Sequence, residues 1–542
     1  MRLTDLLAPR EDDARTTAVY TDTREVTRAA LRDAAWALAG VLRGAGVREG
    51  QAVAVMPGDG AEAIAALFGV WRAGAVYVPL NPRLTDAEVA RVLAEVRPAL
   101  VVTDRAGAGR FPGHPVVLAD AAPSGVAGTA TVPGTADTPG TTDRPGTPGA
   151  PDTAETDGVR AAFTWSPPVP ARSPEPGADP APTHDPDTAL IQFTSGTTGR
   201  PKPVLLRHSG ISALLEPVLA RLVGSGRARP AVPMPNLIPT SMSLWAGIYN
   251  VLFAFRVGAP VVLMERFDTT RFVAYVRRFG IRSVVLPPAA MVMLTDDEAI
   301  GDLAPLRYVR SITAPLSPFQ ARRFRDRFGV TVLNCYGQTE IGGEIVGWNA
   351  ADAREFGESK LGAVGRPHDG VALRIVDAEG GEAGTGGSGE LWVRTPAMAS
   401  GYADGGGLGE RLTADGWFRT GDVGRVDPEG FLWIDGRVSD MINRGGLKVF
   451  PAEVAEVLRL APGVADAAVV GIPDDRLGEV PCAFVVPRGP RPPDPAELDA
   501  WCRAHLAPFK APVRYVTVDA LPRNEVGKVL ADRLAALGRT HP

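Results

Sequence analysis

Thr194-Ser195-Gly196-Thr197-Thr198-Gly199-Arg200-Pro201-Lys202 follows directly on the apolar run Ala189–Phe193, and the reading of this junction decides what kind of molecule the chain forms. An apolar strand that empties into hydroxyl residues and glycines is a phosphate cradle in chemical outline. Thr194, Ser195, Thr197 and Thr198 supply donors, Gly196 and Gly199 let backbone amides approach oxygens closely, and Lys202 adds a compact cation. It is not a Walker loop, which needs Gly-Lys-Ser/Thr adjacency before a helix, because Arg200 and Pro201 separate Gly199 from Lys202. Taken alone, such a cluster also reads as a plain turn, so its neighbours have to decide.

Toward the amino terminus the pattern alternates. Apolar residues recur at helical spacing from Val26 to Leu42, and Val53–Met56 is a short β-like run ended by Pro-Gly. A helical Ala61–Arg72 leads into Ala75–Pro79, and Asp86–Glu95 into Leu100–Thr103. Helix and strand in turn predict parallel α/β layers. Residues 121–187 break the pattern: Pro, Gly, Thr, Ala and Asp dominate and large apolar residues thin out, which predicts a disordered insert with no chemistry.

Toward the carboxyl terminus the alternation resumes through Arg282–Leu286 and Val330–Leu333. Beyond Glu390, Gly-rich turns separate short strands such as Leu391–Arg394 and Phe431–Ile434, the mark of a smaller β-rich unit. A helix at Ala452–Leu460, strands at Ala467–Gly471 and Cys482–Val486, and a helix from Pro495 then make a separate block. That last helix has a clear start: Asp494 as N-cap, Pro495 in the first turn, Glu497 at the third position for a reciprocal cap. The expected fold class is α/β, with a large N-terminal domain of several subdomains over residues 1–435 and a small, mobile α+β domain over 436–542.

Bulk properties narrow the function. At 542 residues the chain exceeds one compact core, so about two or three domains are expected. A hydrophobic content of 45% and a charged content of 22% suit an ordinary globular enzyme. A net charge of -5 without a basic tail argues against a nucleic-acid partner. Cys335, Cys482 and Cys502 offer neither a disulfide framework nor zinc spacing, which fits the reducing cytoplasm. Met1–Arg15 lacks the apolar core of a signal peptide, and no run approaches the roughly 20 apolar residues of a membrane span.

Several motifs follow in order: Val78-Pro79-Leu80-Asn81-Pro82, the Thr194–Lys202 loop, Tyr336-Gly337-Gln338-Thr339-Glu340, Gly389-Glu390-Leu391, Thr420-Gly421-Asp422, Asp435-Gly436-Arg437 and Gly527-Lys528. Singly, each reads as a turn, a surface ion pair or a solvated lysine. Together, along nearly the whole chain, they resemble the adenylate-forming superfamily of acyl-CoA synthetases, aryl-CoA ligases, luciferases and peptide-synthetase adenylation domains, and most closely the acid-CoA ligases.

The resemblance implies ATP and magnesium as cofactors, CoA as acceptor and a small carboxylic acid as substrate. It places Tyr336, Gly337 and Gln338 in the nucleotide site with Tyr336 against adenine, Thr339 on phosphate, and Glu340 on the magnesium; an aromatic face suits a purine and a carboxylate a hard cation. It puts Asp422 and Arg437 on the ribose, and Lys528 on the acid's carboxylate and the α-phosphate. A lone cation about 4 Å from that charge is worth roughly 4 kcal/mol at an effective dielectric of 20. It also implies that the small domain turns about Asp435 between adenylation and thiol transfer, with Arg444-Gly445-Gly446-Leu447-Lys448 facing the thiol arm.

The chain departs from the family at Pro203, where glycine is usual, and at Pro235 and Asn236, where an aromatic and a histidine border the acyl pocket. No Asp lies between Val232 and Glu265 to pair an amino acid's ammonium, and Met242, Leu244, Trp245 and Ile248 suggest an aryl or aliphatic acid, although they read equally as helix core. A carrier protein as acceptor, or another oxyanion such as nitrite as substrate, is the alternative. A catalytically silent nucleotide binder is opposed by intact Lys202, Glu340, Asp422 and Lys528.

Overall fold

The computed structural model describes residues 2–10, 13–56, 58, 60–121, 163–169, 181–194, 201–223, 233–264, 266–405, 407–523 and 529–540. The fold is mixed α/β, with a large N-terminal domain and a small C-terminal one. The large domain is built on an eight-stranded sheet in the order Gly401–Tyr402, Lys202–Arg207, Thr188–Thr194, Val76–Pro79, Ala52–Met56, Leu100–Asp104, Val116–Ala121, Phe163–Trp165. Five consecutive strands within it, Thr188–Thr194 through Val116–Ala121, run parallel. They are apolar almost throughout, as strands covered on both faces must be.

Helices Arg28–Gly44 and Ala61–Ala73 pack together on one face. Gly69 sets their separation: a Cβ there would come within 2.8 Å of the Ala35 carbonyl and 3.0 Å of the Leu38 side chain. The first helix starts two residues after Val26, because Glu25–Thr27 forms a short strand and the Thr27 side chain caps the helix by accepting from the Ala30 N–H. Asp494 likewise caps Pro495–His505 through the Ala496 N–H; Glu497 returns no bond, so this cap is one-sided.

The expected 121–187 insert is bounded more tightly than its composition suggested. Phe163–Trp165 pairs antiparallel with Ala119–Ala121 as an edge strand, and the Trp165 indole donates to the Ala34 carbonyl at 2.8 Å. Further on, Thr183 bridges Gln51, and the His184 N–H reaches the Gly50 carbonyl. These ordered flanks correct the sequence expectation: local composition carries no information about a sheet edge more than 40 residues away. Residues 122–162 and 170–180 lie outside the described residues.

Two further sheets complete the α/β part: Asn236–Ile238, Val261–Leu263, Thr17–Tyr20 and Glu25–Thr27, and the all-parallel Ser283–Leu286, Tyr308–Ser311 and Thr331–Asn334. The β-rich unit is an antiparallel sheet of Ala372–Val376, Gly389–Arg394, Phe418–Val426 and Leu432–Arg437. Asp435 and Gly436 lie within its last strand, and the sheet of the small domain begins at Ile442. That sheet, centred on Gly478–Pro487, has helices Pro451–Arg459 and Pro495–His505 over one apolar core and helix Ala531–Thr540 over another. Among the described residues no helix is long and apolar enough to cross a membrane.

Candidate active site

Strand Thr331–Asn334 leaves the parallel sheet, passes Cys335, and re-pairs as Tyr336–Gln338 antiparallel to Gly343–Gly347. The hairpin closes only because position 337 is bare: a Cβ on Gly337 would sit 1.8 Å from the Gly343 carbonyl. A single helical turn, Thr339–Ile341, followed by Gly342 at φ +87°, makes the tip and carries Glu340. Trp245, at the start of helix Trp245–Val257, buttresses this tip by donating its indole N–H to the Gly342 carbonyl at 2.9 Å.

Asp422 comes from the neighbouring antiparallel sheet, one residue after Gly421 at φ +71°, opposite Arg437 on the next strand. It is 5% exposed. One carboxylate oxygen accepts from the Tyr336 hydroxyl at 2.7 Å and from Gln338 Nε2 at 2.6 Å; the other lies 3.0 Å from Arg437 Nε. Burial, then the Asp422 charge, push the Tyr336 phenol well above its ordinary range, so it remains a donor.

Glu340 is also buried but held more loosely. The Tyr402 hydroxyl lies 3.4 Å from one carboxylate oxygen and Arg411 Nη1 lies 3.6 Å from it. Burial and the Glu340 charge raise the Tyr402 phenol. Tyr402 pairs with Val204, so its ring reaches Lys202, whose Nζ stands 5.3 Å from the ring centre. Arg411 also donates to the Thr420 carbonyl at 2.5 Å and approaches Gln338 Oε1 at 3.4 Å. Lys202, Tyr402, Glu340, Arg411, Gln338, Asp422 and Arg437 therefore form one continuous chain of contacts drawn from three sheets.

Thr339 sits half-buried beside Glu340, and Thr194 stands opposite Lys202 where two antiparallel strands meet. The phosphate-loop motif therefore spans a strand-to-strand connection rather than a strand-to-helix one. Ser195, Gly196, Thr197, Thr198 and Gly199 lie outside the described residues, as does Lys528. The ends flanking Lys528 are tied: Arg523 bridges Val529, the Leu530 N–H reaches the Pro522 carbonyl at 2.8 Å, and Arg523 pairs with Asp466 at 2.6 Å.

Tyr402 and Arg411 carried no signal in the sequence. Tyr402 lies in a strand of two residues, too short for periodicity, and Arg411 sits in a turn between motifs. Thr313, at φ +76° with a buried hydroxyl that has no hydrogen-bond partner among the described residues, marks local strain in the loop after strand Tyr308–Ser311. Asn236 begins strand Asn236–Ile238, and its side-chain amide ties that strand to helix Trp245–Val257 by donating to the Asn250 carbonyl at 3.1 Å.

The family model for the AMP-binding enzyme matches residues 8–403, and the model for the AMP-binding enzyme C-terminal domain matches residues 453–528. The chain belongs to the AMP-binding enzyme family. This AMP-binding enzyme is 32% identical over 534 residues to a fatty acid–[acyl-carrier-protein] ligase of Streptomyces coeruleorubidus, spanning 96% of this chain and 93% of that protein. It is 31% identical over 527 residues to an indoleacetate–CoA ligase of Aromatoleum aromaticum, spanning 96% and 95%. Among solved structures it resembles the amide bond synthetase McbA of Marinactinospora thermotolerans, with a TM-score of 0.77, 27% identity and 99% of each chain covered.

Proposed function

We propose that this enzyme is an ATP-dependent, AMP-forming acid–thiol ligase that works in the cytoplasm: a carboxylate attacks the α-phosphate of ATP, pyrophosphate leaves, and the acyl group passes from the mixed anhydride to a thiol. The observation that carries this reading is the unbroken chain from Lys202 to Arg437, which gathers three cations, two carboxylates and an aromatic ring from segments more than 200 residues apart.

In this reading Asp422, oriented by Tyr336, Gln338 and Arg437, accepts from the ribose hydroxyls. Tyr336, Gly337 and Gln338 line the nucleotide, Thr339 meets phosphate, and the Thr194–Gly199 loop with Lys202 cradles the pyrophosphate oxygens. Glu340 fits a hard cation, since its two side-chain neighbours among the described residues stand at 3.4 and 3.6 Å and leave lone pairs to spare. Magnesium there would screen the charge that accumulates on the phosphates. Lys528 supplies the cation at the bond being made, and its contribution is electrostatic rather than acid–base, because a carboxylate needs no activation by proton removal. Between half-reactions the small domain turns about Asp435, which Arg425 and Ser388 hold in this state.

The acceptor we infer is CoA, and the substrate a small aryl or aliphatic acid. A carrier protein is the second reading, favoured by the Streptomyces coeruleorubidus relative, whose name is that of an acyl-carrier-protein ligase. Incubation with ATP, magnesium, a mixed acid library and either CoA or a carrier protein bearing a pantetheine thiol, read by mass, decides between them. A CoA thioester supports the first reading. Exclusive loading of the carrier protein overturns it in favour of the second.

A further inference from the structure

Behind the Tyr336–Gln338 hairpin lies a buried charged group that the nucleotide chemistry does not use. Arg310, on the middle strand of the all-parallel sheet, donates Nη2 to Glu344 Oε1. The two side chains are only 10% and 9% exposed. His368 Nε2 lies 3.4 Å from the same Glu344 oxygen, and Cys335 and the Tyr249 phenol are close enough to feel both charges. Burial pushes the Glu344 carboxyl up, but Arg310 and His368 more than offset it and hold the group at about 2. Position 347 is kept bare for this carboxylate: a Cβ on Gly347 would stand 2.6 Å from Glu344 Oε1.

A buried ion pair seldom stabilises a protein better than apolar residues of the same volume, because desolvation offsets the attraction. What such a pair does supply is geometry, since only one arrangement satisfies both charges. Here the two partners belong to different sheets. Arg310 is fixed in the parallel core, whereas Glu344 faces Gly337 across the hairpin, four residues beyond Glu340. The same hairpin presents Tyr336 and Gln338 to Asp422.

We propose that Arg310 and Glu344 are positioning residues for the nucleotide site: their ion pair fastens the hairpin to the parallel sheet in the one register that sets Tyr336, Gln338 and Glu340 at their working places. The proposal rests on the nucleotide reading above and adds residues that act through the hairpin rather than on the ligand.

The test pairs thermal unfolding with calorimetric titration of AMP, which needs no acid. Arg310→Met and Glu344→Leu singly strand a buried charge and lower the melting temperature. The double variant Arg310→Met/Glu344→Leu recovers most of the melting temperature yet binds AMP about tenfold more weakly. A folded double variant that binds AMP within about threefold of the wild type overturns the proposal. Should the double variant not fold, Arg310→Lys keeps the charge and loses the planar fork. It is expected to melt like the wild type and bind AMP at least about threefold more weakly, and wild-type binding overturns the proposal. Failure of the wild type to bind AMP sinks the nucleotide reading instead.

Discussion

The two carboxylates of the site are held in contrasting ways. Asp422 sits in a closed set of contacts at 2.6 to 3.0 Å, from Gln338, Tyr336 and Arg437. Glu340, buried to a similar degree, has side-chain partners among the described residues only at 3.4 and 3.6 Å. The difference teaches where each half of the site gets its charge balance. On the proposed ribose side the ligand is neutral, so the protein must neutralise its own carboxylate and preorganise it. On the proposed phosphate side, cation and polyphosphate arrive together, and a carboxylate already locked to arginine would have to be unlocked before either could bind. Among the described residues Lys202 leans on the Tyr402 ring rather than on an acid, which follows the same logic.

Breaking the closed half is expected to have the largest effect. Asp422→Ala leaves the buried Tyr336 hydroxyl and Gln338 amide without their shared acceptor, so stability should fall by about 2–3 kcal/mol in urea melts while AMP binding is lost altogether. Lys528→Ala should lower acid-dependent ATP–pyrophosphate exchange by about 10² to 10³ with the melting temperature unchanged, by analogy with removing one transition-state donor. An unchanged exchange rate in that folded variant would remove Lys528 from the mechanism.

Glu340→Gln sharpens the contrast from the open half. Its loose contacts predict a stability change within about 0.5 kcal/mol, whereas exchange should drop and recover in part at raised magnesium. A melt as damaged as that of Asp422→Ala would show that the two carboxylates are not different in kind. The smallest effect belongs to Lys202→Ala, where loss of the Tyr402 ring contact should cost about 0.5–1 kcal/mol of stability at most and the KM for ATP should rise several-fold.

The parts of the molecule readable from sequence are those in which a local pattern reports a local cause. The helix at Ala61–Ala73 and the strands at Ala52–Met56 and Leu100–Asp104 stand where apolar spacing placed them, to within a residue or two. The hairpin that carries Tyr336 was visible only as a motif; its dependence on a bare Gly337 belongs to the approach of two strands and leaves no trace in spacing. Arg411, Tyr402 and the Arg310–Glu344 pair were illegible for a related reason. Each is defined by a partner tens of residues away in sequence, and an arginine or glutamate whose partner lies on another sheet looks like any solvated charge. The edge strand Phe163–Trp165 was hidden in the same way within a Pro- and Gly-rich stretch.

The convergence of Lys202, Glu340 and Asp422 on one nucleotide is tested most directly by ATP–pyrophosphate exchange with the wild type and Asp422→Ala side by side across an acid panel. The wild type should exchange only when both magnesium and a suitable acid are present, and the variant not at all. Exchange of equal rate in the two proteins, or none in the wild type with any acid, would contradict it.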